Sequence, residues 1–455
     1  VTGNVVLDRN TTATGTLRMV NARIGGSLRL TAASVDVTNH DDGPHLALRF
    51  DGSEIRGDLD LRRAQITGES RLVDVWVRGS MFADYAKLHN PGADALQARR
   101  FSVGGNMDAR DMHVEGSLLM PGTKIGVNLD LRATRMVQPG TRRRNGHKAS
   151  LDLQAADIGR DLICAAGRNP FAAHGGVRMH RAVIGRETDF SGAVLGSAME
   201  GSALDAFGIT TQELILSVGQ APRGEVILRH AHCTTLADNP RFWDATKKID
   251  LEDFRYDALA EPIDLKNDAE VLKRLTQLRH AMRAVYRPGP YDQLATMLRA
   301  SGNEEHASTV LMHKQRWRYR ALADGYHIAG PAVQLWSWLQ RSMVGYGYRP
   351  IRALGWLLLL LAFGTFWFGL HTEACDFHAG TLIAGHCSVS VDETGLVWNP
   401  FLYTLDLLVP IIDFGNKGRW HMVGIDQWMS SAFIAAGWIL ATTVAAGLTN
   451  SIRRQ

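Results

Sequence analysis

The chain has 455 residues with 50 basic and 46 acidic side chains, so its formal net charge is only +4. With the basic residues spread along the sequence, that balance makes no case for a dedicated nucleic-acid binder. The mean hydropathy of −0.11 averages a polar amino-terminal part with an apolar carboxyl-terminal one.

An eleven-residue unit recurs through the first half of the chain, reading apolar-x-apolar-x-x-Ala-x-apolar-x-Gly. Clear copies begin at Leu17, Leu28, Leu59 and Leu151, as in Leu59-Asp60-Leu61-Arg62-Arg63-Ala64-Gln65-Ile66. Looser copies begin at Met81, Met107, Leu118, Leu129 and Thr188. The alternation sends one set of side chains inward and the next outward, as in a strand. Ala fills a tight interior, and Gly two residues after the last apolar position (Ile66-Thr67-Gly68, Val77-Arg78-Gly79) suits a corner. A fixed period too short for a helical repeat predicts a parallel β-solenoid over residues 1–260. Two units would make one coil of about 22 residues, stabilised by stacking on its neighbours.

Loops are expected to leave the coil at Asn39–His45, Asn90–Ala93 and Pro139–Ser150. The last holds Arg142, Arg143, Arg144 and Lys148, a tract that could touch acidic lipid or nucleic acid or simply be solvated. The repeat resumes at Leu204–Ile209, Glu213–Leu216 and Val226–Leu228, and Ile249–Phe254 reads as a final coil.

The period then changes to a helical one, predicting a connector over residues 261–328. Val271, Leu272, Leu275, Leu278, Met282 and Val285 fall on one helical face, which Arg287-Pro288-Gly289-Pro290 ends. Tyr291–Ala300 and Glu304–Leu322 read as an antiparallel helix pair, similar in its Leu, Ala and Tyr placement to a tetratricopeptide-type hairpin and suited to a rigid spacer.

Residues 329–455 read as a membrane module. Uncharged runs at 353–370 and 429–448 are expected to form two transmembrane helices. Eight of the eleven Trp lie beyond residue 330, several near the ends of those runs, as an interfacial belt requires. Val333–Met343 is expected to lie along a membrane surface. Arg341, Arg349 and Arg352 precede the first run and Arg453 and Arg454 follow the second, which predicts a cell-membrane protein with a cytoplasmic solenoid and an extracytoplasmic loop over 371–428. The chain begins at Val1 without Met, so an upstream piece is expected; no signal peptide is visible.

Four Cys are present. Cys164 and Cys233 are expected as buried thiols in the solenoid, and Cys375 and Cys387 as a disulfide in the outer loop. Cys375, His378, His386 and Cys387 are also weak candidates to ligate zinc, although the adjacency of His386 and Cys387 makes a tetrahedron awkward. His230, His232 and Cys233 form a second small cluster. Residues 399–415 are too short to cross a bilayer and are broken by Pro410; they are expected as an interfacial or re-entrant helix, with Asp406 and Asp413 as pore-lining candidates. Val344-Gly345-Tyr346-Gly347 looks like a potassium filter but precedes the first span and is read as a turn.

The repeat resembles pentapeptide-repeat and bactofilin-like β-solenoids, with a spacing of eleven rather than a run of fives. The carboxyl half, with Tyr403-Thr404-Leu405-Asp406 and Val409-Pro410-Ile411-Ile412-Asp413, is similar to bacterial membrane proteins that join such repeats to a two-span, channel-like end. Proteins of this look are sometimes labelled membrane-associated oxidoreductases. The sequence holds no Gly-x-Gly-x-x-Gly after a strand, no Cys-x-x-Cys and no haem-attachment motif. No catalytic residue and no cofactor is therefore assigned. The first functional expectation is a membrane-anchored scaffold presenting a cytoplasmic protein-interaction or self-assembly surface. An oligomeric ion channel is the alternative, and a membrane-associated oxidoreductase the second alternative. The expected partners are membrane lipid, further copies of the chain and a cytoplasmic protein, with no nucleic acid.

Overall fold

A computed structural model describes the chain except residues 9–10, 38–44, 141–148, 197–200, 264–267, 284, 326–329, 345–350, 372–386, 390–397, 410–411, 416–419, 423 and 453–455. It separates into two compact units, Val1–Val310 and Leu311–Gln455.

The first unit is a parallel β-solenoid of about ten turns. Each coil has four sides, here called faces I to IV in chain order. Inward residues stack in columns: Leu17, Leu48, Ser70 and Leu96 on face I; Ile24, Ile55, Val77 and Val103 on face II; Leu28, Leu59, Met81 and Met107 on face III; Val35, Ile66, Leu88 and Val114 on face IV. Leu59 pairs with Met81 and Met107 with Leu129, each 22 residues apart, so two eleven-residue units do make one coil. The longer steps, Leu28 to Leu59 and Leu129 to Leu162, contain the stretches 38–44 and 141–148. The basic tract therefore lies outside the described residues, as does nearly all of the Asn39–His45 stretch. Asn90–Ala93 bulges outward as expected, but without leaving the strand: it sits within Lys87–Gln97, where the pairing with the next coil shifts register.

The corners between faces I and II and between III and IV are four-residue turns. In Leu30-Thr31-Ala32-Ala33 the Ala33 N–H donates to the Leu30 carbonyl at 3.1 Å, and Ala32 is left-handed with φ +56°. The same left-handed position recurs at Arg63, Tyr85, Arg100 and Ala155, so these corners take non-glycine residues. The unit's Ala follows that residue and is buried, as at Ala33, Ala64 and Ala156. Elsewhere Phe fills the same place: Phe101 is fully buried.

A separate glycine, directly after the inward apolar residue of face II, has another role at the corner from II to III. A Cβ on Gly126 would lie 2.1 Å from the Gly104 carbonyl oxygen, and one on Gly159 would lie 2.1 Å from that of Gly126. The backbones of successive coils meet there too closely for any side chain. A polar ladder runs beside this column. The Asp58 N–H donates to Ser27 Oγ, Ser80 N–H to Asp58 Oδ1, Asn106 N–H to Ser80 Oγ and Asn128 N–H to Asn106 Oδ1, over 2.9–3.2 Å.

Helices close the carboxyl end of the stack. Helix α1 (Pro240–Trp243) follows one of the last strands, and α2 (Asp268–Ala281) and α3 (Gly289–Ala300) follow the final coil. Val271, Leu275, Leu278 and Met282 are buried as the helical period requires, whereas Leu272 and Val285, expected on that face, are exposed. The Arg274 guanidinium forms a bidentate pair with Asp238 (2.8 and 2.5 Å) and stacks over the Trp243 ring at 4.7 Å. Arg283 donates to the Ala245 and Thr246 carbonyls, and Gln293 to that of Tyr256. Side chains thus satisfy carbonyls near the end of the stack, the one at Tyr256 lying on the last strand, which blunts that edge.

Helix α4 (Glu304–Gly325) crosses the boundary between the units. The second unit holds α5 (Gly330–Val344), α6 (Ile351–His371), α7 (Pro400–Leu408) and α8 (Ile425–Ile452). Phe368, Tyr403, Leu407, Leu408, Met422 and Phe433 form a core between α6, α7 and α8. Among the described residues no helix is long and apolar enough to cross a membrane. This corrects the sequence reading of spans at 353–370 and 429–448. The side chains described in α6 cover 354–370, about 26 Å of helix against roughly 30 Å of hydrocarbon. Those described in α8 begin at Ile425 and include Asp426, Gln427, Ser430 and Ser431, which dilute its apolar character. The two-span fold, the multi-pass cell-membrane location with its inside and outside, and the channel-like character fall with the spans.

Candidate functional site: the outward faces of the solenoid

The alternation that fills the core leaves outward rows on every face, spaced by the strand separation of about 4.8 Å. Face III carries a chain of ion pairs. Asp60 is paired with Arg62 at 2.5 Å, Asp84 with Arg110 at 2.9 Å and Asp130 with Arg132 at 2.5 Å. Burial opposes ionisation of Asp60, yet hydrogen bonds and charge from Arg62 outweigh it and hold its carboxyl below the usual range. Asp108 is pushed the other way: its own burial and the neighbouring Asp84 and Asp130 raise it, against Arg110. Asp161 is bound in bidentate fashion by Arg186, at 2.7 and 2.5 Å. These pairs saturate one another, so face III presents a neutralised charge ladder.

On face IV, Glu115 lies between two imidazoles, 2.8 Å from His89 and 3.3 Å from His113. Among the described residues no group of three or more His, Cys, Asp or Glu side chains could hold a metal ion. Towards the carboxyl end of face I, His180 pairs with Asp205 at 2.5 Å, and Phe207 packs against both His180 and His230.

The cluster proposed at His230, His232 and Cys233 does not converge. His230 is the left-handed corner residue and pairs with Asp253, His232 points outward, and Cys233 is buried in the core. Burial raises the Cys233 thiol to about 12 and lifts Cys164 well above its ordinary value. Both thiols are therefore expected to stay unlabelled by a thiolate-specific reagent at pH 8 in the folded protein and to react at once in denaturant, a difference read by mass spectrometry. Labelling of either without unfolding would contradict its place in the core.

In the second unit, Asp406 is buried in α7 and accepts from the Phe414 N–H at 3.0 Å, fixing the turn after the helix. Asp413 is exposed and accepts from the Gly415 N–H at 2.8 Å. Both carboxylates bind local backbone, and α7 is nine residues long with Asn399 as its N-cap. Asp426, also buried, accepts from the Trp367 indole at 2.9 Å and ties α8 to α6. Cys375, His378 and His386 lie outside the described residues, as does the side chain of Cys387. The filter-like Val344–Gly347 stretch is also outside them, apart from the backbone of Val344 at the end of α5.

Sequence reasoning missed three features: the glycine column, the polar ladder and the cationic surface of faces I and II. The ladder had a signal. A small polar residue stands directly before an inward apolar one in coil after coil, as in Ser27-Leu28, Asp58-Leu59, Ser80-Met81, Asn106-Met107 and Asn128-Leu129. No protein-family model, no curated protein and no solved structure matches this chain.

Proposed function

We propose that this chain is a β-solenoid scaffold whose outward faces bind a protein partner or a second copy of the chain. The observation that supports it is the construction of the first unit. Its core is filled by stacked side chains along the whole stack, so the chemistry-bearing residues stand on flat outward rows. Solenoids use such extended surfaces for recognition. Two large apolar side chains interrupt otherwise polar rows on face II: Trp76 is 48 % exposed and Val183 50 %. Isolated exposed apolar groups are ordinary, yet aromatic residues in a charged surround are enriched where partners dock.

The test places a photo-crosslinking amino acid at Trp76 or Val183 in the full chain, expressed in its own cells, with Val194 on face IV and Asp413 in the second unit as comparison sites. The proposal expects reproducible adducts of defined mass, to a partner or to the chain itself, from at least one solenoid face. Absence of adducts from all three solenoid positions, with the protein a monomer at its cellular concentration, would overturn it.

A further inference from the structure

We infer that the amino-terminal half of faces I and II is a docking surface for an acidic segment of a partner protein. The inference rests on the scaffold reading and deepens it by assigning the face and the partner's chemistry. Along the five strand pairs from Leu17 to Gly126, these two faces carry nine basic side chains and five acidic ones (Asp51, Glu54, Glu69, Asp74 and Asp94), an excess of four, as large as the net charge of the whole chain. The carboxylates are shared. Asp51 serves both Arg49 (3.3 Å) and Arg71 (3.1 Å), and Glu54 serves both Arg56 (3.7 Å) and Arg78 (2.8 Å). Asp74 is taken by Arg100. Arg18, Arg23, Arg99 and Lys124 have no ion pair among the described residues, and all four are exposed.

The surface is compact. Five coils span four strand separations, about 19 Å, so the cationic excess is concentrated rather than dispersed. Backbone pairing holds every row in place, so little ordering is needed on binding. Face III supplies the contrast: its aspartates and arginines alternate and cancel, and its Asp–Arg pairs include the nearly buried Asp60 and Asp130. The unmatched guanidinium groups of faces I and II instead offer bidentate donors to incoming carboxylates.

A protein partner fits better than a nucleic acid. The fixed carboxylates of Asp51, Glu54 and Asp74 stand among the cations and would repel a continuous phosphate backbone. The exposed aromatic in the patch, Trp76, already has the Arg78 guanidinium over its ring at 4.7 Å, which leaves less of a platform for base stacking. A polypeptide can place separate carboxylates against Arg18, Arg23, Arg99 and Lys124 and pass over the acids between them.

The experiment measures fluorescence anisotropy of fluorescein-labelled deca-glutamate, and of labelled oligo-deoxythymidylate, with the full chain. Deca-glutamate should bind at low salt, weaken on going to about 0.3 M salt, and bind more tightly than the oligonucleotide. Charge reversal of the unpaired cations, Arg23→Glu with Arg99→Glu, should weaken peptide binding about tenfold or more. Arg18→Glu with Lys124→Glu should do the same, and Arg255→Glu, at the far end of face II, should leave it unchanged. Circular dichroism confirms that each variant is folded; none of these side chains has an ion pair among the described residues to lose. Tighter binding of the oligonucleotide, no peptide binding at low salt, or equal loss with Arg255→Glu would each overturn the inference. If crosslinks from Val183 persist in that event, the scaffold reading stands and only the acidic-partner assignment falls.

Discussion

Arg274→Ala is expected to destabilise the first unit by about 3–5 kcal/mol, the cost of leaving a buried carboxylate without its cation. Arg274 and Asp238 are 9 % and 11 % exposed at their side chains, so water cannot replace the lost partner cheaply. Among the described residues Asp238 would keep only the Trp243 indole donor, at 3.0 Å, and Trp243 would lose the guanidinium stacked on its ring. The loss falls at one end of the stack, because the pair joins α2 to the strand that ends at Asp238. Arg274→Lys should fall between wild type and Ala, since a single ammonium cannot reproduce the two parallel hydrogen bonds. Chemical denaturation gives the free energy, and amide exchange gives the location. Faster exchange in 249–259 than in 124–130 is the expected pattern, because repeat arrays open from their ends. Uniform acceleration, or a loss below about 1 kcal/mol, would mean that the helices are not a cap.

Gly126→Ala is the second large effect, expected at about 2–3 kcal/mol or more. The reason is distance and not backbone conformation. The added methyl would sit 2.1 Å from the Gly104 oxygen and 2.8 Å from its carbonyl carbon, both main-chain atoms held by the coil stacking. The Gly126 N–H donates to the Val103 carbonyl at 2.9 Å, so moving away breaks that rung. Gly122 makes the control. It occupies a left-handed corner (φ +66°) in which the adjacent coils place Arg100 and Ala155, and the nearest atom to an added Cβ is Arg100 Cγ at 3.6 Å. Gly122→Asn should therefore cost under about 1 kcal/mol, since Asn tolerates that conformation well. If the two substitutions cost the same, the close backbone contact at Gly126 is not what the column of glycines provides.

The solenoid was legible because its signal is redundant. Leu17, Leu28 and Leu59 each open the same alternation, and an error at one copy is corrected by the next. The 22-residue coil followed from adding two units, and Leu59 stacking on Met81 shows the addition to be right. The corners were legible in part. Gly was assigned to the turn because glycine adopts left-handed angles, and Gly68 and Gly116 do have positive φ (+116° and +127°), but other corners place Ala32, Arg63 and Tyr85 in the left-handed position. The column of Gly104, Gly126 and Gly159 stands where coils touch, a contact between segments that no local pattern reveals. The polar ladder and the Arg274–Asp238 pair have the same origin: their partners are about 22 to 36 residues apart, and only the stacking brings them together. Hydropathy misled in the second unit. Leu354, Leu358 and Phe366 are apolar and exposed, while Phe368, Tyr403 and Phe433 build a small core with α7, so an apolar run there did not amount to a spanning helix among the described residues. Asp406 shows how a candidate chosen by position can prove to be a backbone anchor. The cationic excess on faces I and II was hidden by the near-neutral total, because it emerges only once residues as far apart as Arg18 and Lys124 are stacked onto two adjacent sides of the coil.

The central claim is that outward residues of one face rise by one strand separation per coil, however many residues lie between them. On face II, Arg23, Glu54, Trp76 and Ser102 occupy successive coils although the sequence steps between them differ. Pulsed electron–electron resonance between spin labels at position 23 and at positions 124, 210 and 255 measures this directly. Four, seven and nine coil steps predict separations of about 19, 34 and 43 Å, rising linearly. Separations that fail to rise linearly from 124 through 210 to 255, or that are much larger than one strand separation per coil step, would contradict the stacked four-sided coil on which every functional statement here depends.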